Sequence, residues 1–367
     1  MKAIVTKRGG TYQLEDVEIP IPRNGEVLVK VECAAQNPTD WKSLSMIPEG
    51  HIIGFDFSGT IQTLGPGVNK ESRHAGQRVA GTVHGGAERN GAFAEFVLAQ
   101  AELLFTLPDS ISFEEGAQVG CACMTAYMSL YDTLMLPTPF DTPSTTPSSL
   151  LVWSGATSVG QIVIQLAKLS GLRVIATASP RNQDFVRSLG ADEVYDYLDS
   201  FTGRDIFEAT GGGIHYAVDC WGEGTSPYQV SASLSNDHAT VATLLPYKSR
   251  KKGIETKFVF TYSIFGKETV FPFPSPVDME MVRKARHYCK LISQLLSEGK
   301  VKLGPVKLFP NGLVGVADGM DYARLGKSGG VATQSIILES PAHQLPQNFP
   351  LDTSQRLFDE HSRAPQA

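Results

Sequence analysis

The sequence has few cysteines, no long apolar run and no basic surplus, and each shortage removes a class of protein. Its five cysteines, at positions 33, 121, 123, 220 and 289, are odd in number, scattered and without a CxxC spacing. This is not a disulfide framework, and it predicts a soluble, cytoplasmic chain. No apolar run approaches the roughly 18 residues of a membrane span. The opening MKAIVTKRGG also lacks the apolar core of a secretion signal. Lys and Arg number 32 against 38 Asp and Glu, a net charge of −6, so nucleic acid is not an expected partner. The one basic block, at 248–252, reads as a solvated loop. Charged residues are only 19% of the chain, which speaks against long solvated helices.

What is present is apolar and turn-rich. The 367 residues contain 42% hydrophobic side chains, 35 glycines and 22 prolines, enough for two domains of ordinary size. The first hundred residues carry short Val-, Ile-, Thr- and Phe-rich runs such as KAIVTK, GEVLVKVECAAQ and GAFAEFVLAQ, a pattern of strands in a small barrel or folded sheet. Ser112-Phe113-Glu114-Glu115 is a capping box and predicts a long helix over 113–136. Residues 137–149 (PTPFDTPSTTPSS) form a Pro-rich surface linker. From 150 apolar strands alternate with amphipathic segments to about 299, predicting an α/β, doubly wound parallel sheet. Residues 340–367 form a polar tail with little fixed structure.

Leu151-Val152-Trp153-Ser154-Gly155-Ala156-Thr157-Ser158-Val159-Gly160 sits where a dinucleotide fingerprint belongs. Gly155 suits the tight turn and Gly160 the close approach of helix to strand. Thr157 stands where the fingerprint has glycine, so phosphate would be held by the Thr157 and Ser158 hydroxyls and the helix N-terminal N–H groups. An ordinary strand-to-helix turn is the alternative for this segment alone. The next strand ends in Ser179-Pro180-Arg181-Asn182 without an acid, whereas an NAD site expects Asp or Glu there. Ser179, Arg181 and Asn182 fit a 2′-phosphate, hence NADPH. A plain surface arginine is the other reading.

Further segments resemble a known superfamily. Gly54-Phe55-Asp56-Phe57-Ser58-Gly59, with Gly65 and Val68, is similar to the GHE signature of the medium-chain dehydrogenases/reductases. Asn37-Pro38-Thr39-Asp40, Gly91-Ala92-Phe93-Ala94-Glu95-Phe96 and Leu107-Pro108 match it in order. The resemblance covers residues 1 to about 339. It implies a GroES-like catalytic domain (1–136 and 300–339) and a Rossmann NADPH-binding domain (150–299). Asn37, Phe55 and Asp56 occupy places tied to the catalytic zinc site in zinc-dependent members, and only Cys121 matches a ligand. One thiol does not make a tetrahedral zinc site, so a zinc-free reductase is implied, one that reduces C=C bonds conjugated to a carbonyl.

Asn37-Pro38-Thr39-Asp40-Trp41-Lys42-Ser43, with the Ser154 and Ser179 segments, resembles the fungal trans-acting enoyl reductases. These serve highly reducing polyketide synthases on substrates bound to an acyl carrier protein. By that resemblance Asn37, Thr39, Asp40, Trp41 and Lys42 lie at the cofactor, with Asp40 orienting the loop. Lys42 contacts a phosphate or ribose or stabilises an enolate, against the alternative of a surface lysine. Thr125 approaches the nicotinamide, or else bonds its own helical turn. Tyr197, Leu244, Leu245, Val331 and Ala332 follow the cofactor, although aliphatic residues at strand ends are core by default. One helix face, Thr125, Met128, Tyr131 and Asp132, is expected to wall an acyl tunnel with Tyr262, Ile264 and Phe265. Core packing competes for Met128 and Phe265. No side chain stands out as proton donor, and water is the default. A general quinone or enone reductase and a non-enzymatic nucleotide binder remain the alternatives. The oligomeric state stays open between a dimer paired through exposed Rossmann edge strands, as in relatives, and a monomer that docks transiently on the synthase, as the trans-acting members imply.

Overall fold

The computed structural model describes residues 1–87, 90–141, 148–270 and 274–327, together with the backbone of the strand at 332–336. The first part of the chain gives strands β1 (Lys2–Lys7), β2 (Thr11–Asp16), β3 (Glu26–Gln36), β4 (Asp56–Leu64), β5 (Arg78–Thr82), β6 (Phe96–Gln100) and β7 (Phe105–Thr106). Helix α1 (Pro38–Lys42) leaves the end of β3, and α2 (Phe113–Gly116) and α3 (Gly120–Tyr127) follow β7. Alternation along β3 and β4 buries Val27, Val29, Val31, Phe57 and Ile61 in one core.

The nucleotide-type sheet contains β8 (Ser149–Trp153), β9 (Arg173–Thr177), β10 (Glu193–Tyr195), β11 (Tyr216–Asp219), β12 (Ala239–Thr243) and β13 (Ile254–Phe258). Its strand order is β10-β9-β8-β11-β12-β13, and every pairing is parallel. The connecting helices are α4 (Ser158–Leu169), α5 (Gln183–Ser188), α6 (Thr202–Ala209) and α7 (Ser226–Ser233), followed by α8 (Met279–Ser297). The doubly wound α/β sheet expected from the alternation is present. Its order reverses between β8 and β11, the topological switch point at which such sheets bind ligands.

Strand β14 (Val306–Phe309), helix α9 (Val316–Arg324) and strand β15 (Ala332–Ile336) come last. β15 pairs antiparallel with β3 from Gln36 to Cys33, so the chain returns to the first sheet. The expected linker at 137–149 lies partly outside the described residues, and the expected tail at 340–367 lies wholly outside them.

One expected helix is broken. The capping box forms, with Ser112 Oγ accepting from the Glu115 N–H at 3.1 Å. Yet α2 stops at Gly116 and α3 begins at Gly120, and the chain widens into a π-helical turn over Met128–Thr133. Gly120 explains the break: a Cβ there would stand 2.4 Å from Asp56 Oδ1 and 2.6 Å from the Gly81 carbonyl oxygen. Helix α3 begins hard against the first sheet.

Candidate cofactor and substrate cleft

The carboxyl ends of β8, β9, β11 and β12 form one rim of the cleft. After β8 the chain turns sharply at Ser154, which takes a left-handed φ of 62°. Its N–H donates to Thr177 Oγ1 at 2.9 Å, while the Gly155 N–H donates to the Thr177 carbonyl at 2.8 Å. A Cβ on Gly160 would lie 2.7 Å from the Ser154 carbonyl oxygen and 2.9 Å from Gly155 Cα. Glycine is therefore needed where helix α4 meets its own turn. Buried Ala156 packs behind this turn.

The expected use of the Thr157 hydroxyl needs correction. Thr157 caps α4: its Oγ1 accepts from the Gly160 N–H at 3.1 Å and donates to the Ser154 carbonyl at 2.9 Å. Its proton is spent on the turn, as an N-cap residue requires. Exposed Ser158 and the first-turn N–H groups of Ser158 and Val159 are what the helix offers an anion. Beyond β9, Ser179 precedes the short turn Pro180–Asn182. Exposed Arg181 has no ion-pair partner among the described residues.

Tyr197 lies exposed just beyond β10. Leu244 and Leu245 follow β12, where Leu245 Cβ would stand 3.0 Å from a Cβ on Gly222. The two strand-end loops touch there. Val331 lies outside the described residues, whereas Ala332 opens β15 one position from the residue paired with Gln36.

The opposite rim is built by α1. Asp40 is fully buried and its Oδ2 accepts from the Asn37 N–H at 2.6 Å, closing the capping box of α1. Asn37 Nδ2 reaches Asp56 Oδ2 at 3.1 Å, and Asp56 Oδ1 accepts from the Cys121 N–H at 2.8 Å. Burial pushes the Asp56 carboxyl up to about 6 and the Cys121 thiol up to about 12. Burial raises Asp40 as well, and the charge of Asp56 adds to it. Among the described residues no three His, Cys, Asp or Glu side chains are grouped to hold a metal ion.

Lys42 is exposed and ion-paired. Its Nζ lies 2.6 Å from Oε1 of Glu223, in the loop after β11, and 5.4 Å from the centre of the Trp41 ring. The buried indole N–H of Trp41 has no acceptor among the described residues. Thr39 Oγ1 is hydrogen-bonded to the Tyr262 hydroxyl and lies 3.3 Å from Ser43 Oγ. Thr125 Oγ1 lies 2.9 Å from Thr261 Oγ1. The segment Thr261–Phe265 thus crosses from the nucleotide-type sheet to both α1 and α3.

The expected tunnel wall is not one face. Tyr131 is buried and its hydroxyl is engaged by the Leu166 carbonyl at 3.2 Å and Ser170 Oγ at 2.9 Å. Asp132 is paired with Lys284 of α8. The π-helical turn rotates both away from Thr125, because the 3.6-residue spacing fails there. Met128 and Ile264 belong to the hydrophobic core. Phe265 packs against the edge of the same core and also borders an open pocket of about 160 Å³ with His84, Ala87, Leu98, Gln100 and Leu103. His84 also packs on Tyr262, with ring centres 4.5 Å apart.

Sequence reasoning missed Glu223, Thr261 and His84 as cleft residues. It also missed Asp219, whose Oδ1 accepts from the Trp221 and Gly222 N–H groups at 3.0 Å each and so shapes the loop carrying Glu223. An aspartate closing a strand and followed by Cys-Trp-Gly was the available signal for that loop.

The Alcohol dehydrogenase GroES-like domain family matches residues 23–109, and the Zinc-binding dehydrogenase family matches residues 158–248. A trans-enoyl reductase of Petromyces alliaceus is 33% identical over 338 residues, covering 89% of this chain and 94% of the relative. A trans-enoyl reductase of Alternaria alternata is 34% identical over 339 residues, covering 90% and 97%. A crystal structure of an alcohol dehydrogenase superfamily protein from Novosphingobium aromaticivorans superposes with a TM-score of 0.75 at 23% identity, covering 92% of this chain and all of that one.

Proposed function

This chain belongs to the trans-enoyl reductase family of the medium-chain dehydrogenases/reductases, and from that membership we propose that it reduces the α,β-double bond of a polyketide chain carried on an acyl carrier protein. The chain is an oxidoreductase, and its fold implies a nicotinamide cofactor. Our reading assigns NADPH, taking residues 150–299 as the nucleotide domain and residues 1–136 with 300–339 as the catalytic domain.

The rim residues suit that cofactor. The close-packed Gly155–Gly160 turn and the first turn of α4 suit a diphosphate. Ser179, Arg181 and Asn182 suit a 2′-phosphate, since no carboxylate stands at the end of β9 to compete. Trp41 has a buried donor to satisfy, and Lys42 is held in place by Glu223. Thr39 and Thr125 border the nicotinamide end. The cofactor, when bound, supplies the hydride, while the chain positions the acyl group against it. The pocket between His84 and Phe265 receives the acyl chain, with Tyr262 packed against its His84 wall.

We assign the partner as a highly reducing polyketide synthase, with the enzyme acting as a cytoplasmic monomer. Among the described residues no helix is long and apolar enough to cross a membrane. The observation that carries the reading is the 33% identity to a trans-enoyl reductase over nearly the whole chain. Intact mass spectrometry of an enoyl group loaded on carrier protein tests it. The protein with NADPH must add one H2 to the acyl group; an unchanged mass rejects the proposal.

A further inference from the structure

We propose that Tyr262 is a catalytic residue whose phenol O–H donates to the substrate carbonyl oxygen as that oxygen becomes negative. The proposal rests on the enoyl-reductase reading above and adds a group to its chemistry. Hydride addition at the β-carbon moves the C=C pair into a new bond between the α-carbon and the carbonyl carbon. The carbonyl π pair moves onto oxygen, giving an enolate. A solvent proton then closes the α-carbon, so Tyr262 gains or loses no proton. What the step requires is a fixed donor at the oxygen.

The cleft contains such a donor. Ser43 Oγ lies 3.3 Å from Thr39 Oγ1, which is hydrogen-bonded to the Tyr262 hydroxyl. Each hydroxyl has one proton to give. With Ser43 donating to Thr39 and Thr39 to Tyr262, the phenol proton is left for a ligand. A hydroxyl that accepts while it donates is a better donor.

The other groups at this place are already committed. Lys42 is held by Glu223, and Thr125 Oγ1 lies between Thr261 Oγ1 at 2.9 Å and Cys121 Sγ at 3.7 Å, so both threonine protons have an acceptor.

Packing holds the phenol ring in place. Its centre lies 5.5 Å from Phe55 in an edge-to-face contact, 5.3 Å from Phe260 and 4.5 Å from His84. Burial, together with the nearby Cys121, Asp40 and Asp56, raises the phenol far above its ordinary value. It therefore stays protonated, and remains a donor, across the whole working range. Phe55 and Asp56 stand at the positions tied to zinc in the metal-dependent relatives. A phenol reaching that spot from the other domain supplies polarisation without a metal.

The test compares wild type with Tyr262→Phe, which keeps the ring packing, on an enoyl-pantetheine thioester. The expected result is a kcat lower by about 10²–10³-fold with NADPH affinity by fluorescence titration unchanged. The isotope effect from 4-deuterated NADPH should rise as the hydride step becomes slower. A kcat within about threefold of wild type, or a loss matched by weakened NADPH binding, overturns the proposal. Thr39→Val keeps the phenol and removes its donor, and it reads the same claim if Y262F fails to fold. A kcat, measured at saturating NADPH, that is about tenfold lower and is restored by Thr39→Ser supports the hydroxyl chain; an unchanged kcat overturns it. Wild-type protein that leaves the thioester unreduced overturns the enoyl-reductase reading and this one together. Wild-type turnover with an unimpaired Y262F overturns this one alone.

Discussion

Lys42 Nζ and Glu223 Oε1 stand 2.6 Å apart across the cleft, although 181 residues separate them in the chain. Each side chain keeps roughly a third to a half of its surface in water, so the pair adds about 0–1 kcal/mol to stability at most. In the NADPH reading proposed above, its effect is to hold a cation where the nucleotide would enter. Glu223→Gln is expected to leave Tm within about 2 °C of wild type while raising KM for NADPH about threefold. Thermal melting and initial-rate kinetics on the same preparation check both halves.

Arg181 reads the cofactor's 2′-phosphate in this account. A charge-assisted hydrogen bond contributes about 1.5–3 kcal/mol. Arg181→Ala should therefore lower kcat/KM for NADPH by about 10–100-fold and leave kcat/KM for NADH nearly unchanged. Equal losses with both cofactors would remove Arg181 from the phosphate site.

Asp56 gives the fold a pH dependence of known sign. Its folded carboxyl is raised by burial from 3.8 to about 6, so the folded state binds the proton more tightly than the unfolded chain. The associated stability is fully present below about pH 3.8 and is lost as pH rises through about 6, to a total of up to about 3 kcal/mol. Asp56→Asn cannot ionise. The Tm difference between wild type and D56N should change in favour of D56N from pH 4 to pH 7 and then level off. A flat difference would show that burial does not raise this carboxyl.

Gly160 tests the cofactor turn directly. An alanine methyl would meet the Ser154 carbonyl oxygen at 2.7 Å, and such overpacking costs about 1–3 kcal/mol. Gly160→Ala is expected to lower Tm and to weaken NADPH in a fluorescence titration. Unchanged binding would mean that the α4 N-terminus is not the phosphate site.

Local pattern carried much of this structure. The parallel sheet follows from apolar strands alternating with amphipathic helices, and the α4 turn from glycines at 155 and 160. The structural role of Asp40 came only with the family resemblance, although its place three residues after Asn37 closes the capping box of α1. What failed was periodicity where the helix changes its pitch. Thr125, Met128, Tyr131 and Asp132 share a face only at 3.6 residues per turn, and the π-helical turn at Met128–Thr133 removes that condition. Thr157 was misread for a different reason: the same hydroxyl can cap a helix or hold phosphate, and spacing does not distinguish the two. Glu223 and Thr261 were illegible because their partners, Lys42 and Thr125, lie 181 and 136 residues away. Such contacts exist only after the two domains meet.

The central claim is that the cleft is built for a conjugated thioester with NADPH as hydride source. Initial rates of NADPH oxidation by the purified protein, measured side by side with an enoyl-pantetheine thioester and a simple quinone, test it most directly. The account predicts faster turnover of the thioester. A quinone reduced as fast as the thioester, or a thioester left untouched, would contradict it.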